Sequence, residues 1–122
     1  MRIKVGTFRC PVGIARSGGR DFEETMPLVD RGALYSEFPS GLLESLGYRP
    51  NATRRFRLAD GSTVERPVGP VTLRINDEVQ TVLSIFGGEG SELLLGAVTL
   101  ETFSLAPDPV NETLVPVIAM LA

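Results

Sequence analysis

The chain has 122 residues, with 12 Lys plus Arg against 15 Asp plus Glu for a formal charge of −3, no histidine and a single cysteine. That composition excludes Ser-His and Cys-His nucleophile pairs, an imidazole base, a His-rich metal site, an internal disulfide and a thiolate zinc cluster. A net negative charge argues against a nucleic-acid partner, and the hydrolytic chemistry that survives is mainly that of carboxylates.

Length and composition predict one domain over residues 1–122, with 43% apolar and 22% charged residues near globular averages. No apolar run approaches a membrane span of about 20 residues. The first ten residues carry three basic groups but no apolar stretch of the secretory kind. With one free Cys, the expected setting is a reducing, cytoplasmic one. The sequons at Asn51 and Asn111 then have no glycosylation route.

In chain order, β vocabulary dominates: 12 Val, 5 Ile and 9 Thr are punctuated by Gly and Pro. Ile3–Phe8 and Phe22–Val29 read as strands, with a polar turn at Ser17-Gly18-Gly19-Arg20-Asp21 between them. Ser40–Leu46 reads as a short helix, with Ser40 as N-cap, Leu42, Leu43 and Leu46 apolar, and Gly47 as stop. Phe56–Val64 reads as a hairpin whose Asp60-Gly61 dipeptide suits a type I′ turn. Pro67 and Pro70 mark an edge or a bend. Val71–Ile75 and Val79–Phe86 pair as a second hairpin around Asn76-Asp77. Ala97–Leu105 reads as a short amphipathic helix, and the apolar tail Leu114–Ala122 as a core strand or one facing a partner.

One internal echo stands out. Leu28-Val29-Asp30-Arg31-Gly32-Ala33 and Leu93-Leu94-Leu95-Gly96-Ala97 are each an apolar run ending in Gly-Ala and followed by a turn or helix. Such repetition suits a pseudo-twofold β domain. Asp30 follows a hydrophobic strand and precedes a glycine that permits close backbone approach, so partial burial is expected. A partly buried carboxylate can serve as an acid or base. The plainer reading makes Asp30 a turn residue that satisfies neighbouring N–H groups.

Other motifs carry less chemistry. Arg54, Arg55 and Arg57 suit a solvated strand face better than an anion guide. Gly87-Gly88-Glu89-Gly90 lacks the Lys-Ser/Thr of a phosphate loop. Cys10 has no companion base.

From Phe22 to Val117, the order of elements resembles the retropepsin-like aspartic proteases, and among them the small prokaryotic members. Asp30, Gly32 and Ala33 match the Asp-Thr/Ser-Gly-Ala motif, Leu94-Leu95-Gly96 matches the second motif of two aliphatics and a glycine, and Leu58–Val64 lies where the flap belongs. The resemblance implies an all-β acid-protease half, a closed β-barrel with one or two short helices and a flap hairpin near Asp60-Gly61. It implies that Asp30 is catalytic and pairs with a second Asp30 across a homodimer. Gly32, Ala33, Ala59, Asp60, Gly61 and Ser62 would then bind a peptide or protein substrate, with Arg31, Leu95 and Gly96 supporting the dyad. No metal and no cofactor is implied. The terminal residues Leu114–Ala122 would supply interface strands.

Arg31 departs from the motif, which has Thr or Ser there. A hydroxyl bonds across the dimer beneath the dyad; a guanidinium cannot copy that short bond. Aimed at the dyad, two Arg31 groups would favour double ionisation and remove the acid; aimed outward, they would leave it with looser support. Three readings follow: an active homodimeric endopeptidase, an inactive relative that binds peptides or itself, and a plain β interaction domain with a structural Asp30.

Overall fold

A computed structural model describes residues 7–118, Met120 and Leu121. The expected strand at Ile3–Phe8 lies mostly outside these residues; β1 (Phe8–Arg9) begins at its end. It is followed by β2 (Val12–Ala15), β3 (Phe22–Thr25), β4 (Leu28–Val29), β5 (Ser36–Pro39) and α1 (Ser40–Ser45). Next come β6 (Ala52–Arg57), β7 (Thr63–Ile75), β8 (Glu78–Gly87) and β9 (Leu94–Leu95). The chain ends with α2 (Ala97–Thr102), β10 (Leu105–Asp108) and β11 (Thr113–Pro116).

The fold is mostly β. Its main sheet, a curled half-barrel, runs β1-β4-β9-β5-β8-β7-β2-β3, with β6 branching from β7, while β10 and β11 form a separate antiparallel pair. Strand periodicity decides which side chains form the core. Val71, Leu73 and Ile75 of β7 face inward with Ser36 and Phe38 of β5, against Val12, Ile14, Val29, Leu43, Leu95, Leu100 and Phe103.

Both expected hairpins form. Strands β7 and β8 pair from Val68↔Ile85 to Ile75↔Glu78, turning at Asn76 with φ 49°. Strands β6 and β7 pair from Ala52↔Val68 to Arg57↔Thr63. Their turn is not type I′, because Gly61 takes positive φ (89°) and Asp60 does not. Gly61 N–H donates to Leu58 O and Leu58 N–H to Ser62 O, as in a three-residue loop with a left-handed glycine. Pro67 and Pro70 sit within β7 where it passes from β6 to β8.

Strand β2 has no counterpart in the sequence expectations. It lies between β3 and β7 with all four residues buried, so it shows no alternation. The expected single strand Phe22–Val29 divides at Met26-Pro27, since proline has no N–H to continue a ladder. Phe22–Thr25 pairs with β2, and Leu28–Val29 pairs with β1 and β9. In α1 the N-cap is Pro39 rather than Ser40 and no side chain caps it, while Gly47 at φ 93° ends the helix. The second helix stops at Thr102 and yields to β10. Of the apolar tail, Thr113–Pro116 is a strand with Leu114 buried, and Val117, Ile118, Met120 and Leu121 are exposed; 119 and 122 lie outside the described residues.

Candidate functional site

The two echoed segments meet in space. Leu28 pairs in parallel with Leu94, and Val29 with Leu95. Leu28 N–H donates to Leu93 O at 2.8 Å, and Asp30 N–H to Leu95 O at 3.0 Å. Beyond them the Asp30 loop receives the start of α2: Ala97 N–H donates to Ala33 O and Val98 N–H to Leu34 O, both at 2.9 Å. Two helix N–H groups that would otherwise lack partners thus bind the loop carbonyls. Asp30, Arg31, Gly32, Ala33, Leu95 and Gly96 are therefore one neighbourhood.

Within it, Asp30 is half-buried, and its Oδ1 accepts the Gly32 N–H at 2.9 Å. Among the described residues no other group bonds the carboxylate. A Cβ on Gly32 would stand 3.1 Å from that same oxygen. Gly96 is held more tightly: a Cβ there would fall 2.6 Å from Tyr35 C and 2.7 Å from Tyr35 O. Only glycine fits this crossing.

Arg31 is exposed and bonds neither Asp30 nor any other described residue. It lines a small depression of about 70 Å³ with Glu101 and Leu105–Pro107, on the side of α2 and β10.

Several positioning groups were not foreseen. Ser36 Oγ accepts the Gly96 N–H at 3.0 Å and lies 2.6 Å from Thr99 Oγ1; both side chains are fully buried. This hydroxyl pair joins β5 to α2 beneath the Asp30 loop. Tyr35 packs edge-to-face on Phe56 with centroids 5.9 Å apart and accepts a hydrogen bond from Arg54 at 3.0 Å. It couples the Asp30 loop to the shaft of the β6–β7 hairpin. No local sequence signal points to these roles, because each depends on a partner far along the chain.

Ala59, Asp60, Gly61 and Ser62 form the hairpin tip, are all exposed, and among the described residues hydrogen-bond only within the hairpin. Asp60 Oδ1 accepts from the Ser62 hydroxyl and from Ser62 N–H at 2.9 Å, and these bonds hold its pKa below the usual carboxylate range. Among the described residues no group of three or more acidic or Cys side chains is arranged to hold a metal, and no helix is long and apolar enough to cross a membrane.

The arrangement of two crossing β segments, a short closing helix and a long hairpin has a counterpart among solved structures. The protease of simian foamy virus (mac), a solution structure, superposes with a TM-score of 0.57 at 16% identity, covering 79% of this chain and 94% of that one. The fold is retropepsin-like. A retropepsin-like aspartic protease from Rickettsia conorii aligns at a TM-score of 0.47 and 16% identity, over 83% of this chain and 84% of that one. No family model and no curated protein matches the chain. In this retropepsin-like frame Asp30 sits at the end of β4, where the parallel pairing with β9 stops.

Proposed function

We propose that the chain is an aspartic endopeptidase that works as a homodimer, with one Asp30 from each subunit meeting at the twofold axis. The observation that carries this reading is the state of Asp30 itself. It is half-buried, its backbone is fixed to Leu95, one oxygen is held by Gly32, and the rest of the carboxylate is unbonded among the described residues. Such a carboxylate suits one half of a dyad.

Two carboxylates in close contact cannot both ionise, so they share one proton. The ionised partner takes a proton from water as the water oxygen attacks the scissile carbonyl carbon. The protonated partner gives its proton to the carbonyl oxygen. Collapse of the resulting gem-diol breaks the C–N bond, and the amine leaves with a proton from the dyad. Neither metal nor covalent intermediate takes part. Arg31, Leu95 and Gly96 support the dyad, and Gly32 and Ala33 line the substrate path. The hairpin is the flap, with Ala59, Asp60, Gly61 and Ser62 pairing with an extended peptide and closing over it. Exposed Val117, Ile118, Met120 and Leu121 form an apolar edge suited to the subunit interface. The one thiol, Cys10, is free, which suits the cytoplasmic setting proposed for the dimer.

A second reading, a non-catalytic relative that binds peptides or itself, is favoured by Arg31 standing where the motif has Thr or Ser. Peptide hydrolysis separates the two. The active dimer cleaves peptides best at acidic pH, loses specific activity on dilution, and is blocked by a statine-type peptide. Asp30→Asn abolishes cleavage; a variant as active as the parent contradicts the proposal. Under the second reading the parent is inert and cleavage appears only with Arg31→Thr.

A further inference from the structure

Asp30 and Arg31 are neighbours in the chain, so an assembly that brings two Asp30 carboxylates together on a twofold axis brings two Arg31 side chains with them. Like charges there oppose assembly, and each guanidinium needs an anion once water is excluded. Two carboxylates compete for that role: Asp30 itself and one on α2. A guanidinium drawn to Asp30 would occupy the oxygens that a dyad must share. Arg31 lies elsewhere. It makes no bond to Asp30 and lines the depression of about 70 Å³ on the side of α2 and β10.

The carboxylate on α2 is Glu101, and it borders the same depression. Glu101 and Ala97 are four residues apart, so they share one face of the helix. Ala97 N–H donates to Ala33 O at 2.9 Å, which fixes that face against the loop carrying Arg31 two residues before. Both charged side chains are exposed. Among the described residues the Glu101 carboxylate accepts no hydrogen bond and joins no ion pair. The rest of the depression is apolar, with half-buried Ala97, Leu105 and Pro107 beside buried Leu100. Such a bed suits the methylene stem of an arginine. The carboxylate at the end of β10, Asp108, is already engaged by Val110 and Asn111.

We propose that Arg31 and Glu101 form an assembly-coupled latch: as two copies meet, each Arg31 swings across this depression onto Glu101 of its own chain. The latch holds both guanidinium groups off the twofold axis and leaves the two Asp30 carboxylates free to pair. In the single chain the two charges are solvated, and an ion pair between them gains little. When a second copy excludes water and presents its own Arg31, an unpaired guanidinium becomes costly and the charge-assisted bond to Glu101 relieves it. Glu101 is then a positioning residue that acts through Arg31. The inference rests on the homodimer of the peptidase reading, but dimer formation tests it without turnover.

The dimer dissociation constant is measured by analytical ultracentrifugation for the parent, Glu101→Gln, Arg31→Thr and the double variant, with circular dichroism confirming that each is folded. Glu101→Gln is expected to weaken the parent dimer about tenfold, between the effect of an exposed pair and that of a buried one. In the Arg31→Thr background it should change nothing. Exchanging the charges, Arg31→Glu with Glu101→Arg, is expected to restore the parent constant. Native mass spectrometry of that chain mixed with isotope-labelled parent should then show mixed dimers, because each chain satisfies its own pair. Exclusion of mixed dimers while both homodimers form would put each Arg31 on the partner's Glu101 and overturn the latch. No effect of Glu101→Gln, or an equal effect in both backgrounds, overturns it and leaves the homodimer standing. The expected coupling without any peptide cleavage keeps the latch and defeats the peptidase reading. A parent that stays monomeric at every concentration overturns the homodimer and the latch together.

Discussion

Gly96 crosses the backbone of Tyr35 so closely that a single added methyl would stand 2.6 Å from the Tyr35 carbonyl carbon. The contact seats α2 on the Asp30 loop, because Ala97 and Val98 can reach the carbonyls of Ala33 and Leu34 only if residue 96 has no side chain. The atoms met are backbone, which cannot rotate aside. Gly96→Ala is therefore expected to destabilise the fold by about 1–3 kcal/mol, the usual cost of overpacking. Urea denaturation of the two proteins measures it, and an unchanged midpoint would show that the crossing relaxes freely.

Beneath the same crossing, Ser36 and Thr99 hold a buried hydroxyl pair. Thr99→Val keeps the shape and removes the hydroxyl. Ser36 retains its bond from Gly96 N–H but loses its other partner, which is expected to cost about 1–3 kcal/mol. Thr99→Ser restores the hydroxyl and should recover most of that loss in the same denaturation assay.

Tyr35 transmits between the Asp30 loop and the hairpin. Removing its ring and hydroxyl in Tyr35→Ala takes away the Phe56 contact and the bond from Arg54, while the β6–β7 ladder stays intact. An edge-to-face pair contributes about 0.5–1.5 kcal/mol. Faster amide hydrogen exchange across Ala52–Arg57 is expected with little change in β8, and uniform exchange across both would contradict a local tie.

Cys10 gives a pH signature. Burial pushes its thiol from 9.0 up to about 11, so the native state keeps it protonated. Unfolding frees it to ionise near its ordinary value. Stability from this group is thus present below about pH 9 and is lost as pH rises toward 11. The native chain is expected to resist a thiol-reactive disulfide reagent at pH 8 and to react fully in urea. Rapid native labelling would contradict the burial.

Much of this was legible in local pattern. Asp-Arg-Gly-Ala and Leu-Leu-Gly identified the two segments that cross, and period-two alternation with Asn76-Asp77 located the β7–β8 hairpin. Strand β2 escaped notice because it is buried on both faces and only four residues long, with Gly13 pressed against Phe22 and the Arg74 guanidinium. The turn at Asp60 differed from expectation because its carboxylate binds Ser62, which leaves Gly61 alone to take the left-handed conformation. Tyr35, Ser36 and Thr99 acquire their roles only through partners distant in sequence. No local pattern carries that information.

The direct measurement is the distance between the two Asp30 carboxylates in a crystal structure of the assembled protein. A shared dyad requires them at hydrogen-bond separation, about 2.5–3.0 Å between nearest oxygens. A dimer that leaves them too far apart to share a proton, or a chain that stays monomeric at crystallisation concentrations, would contradict the proposed enzyme.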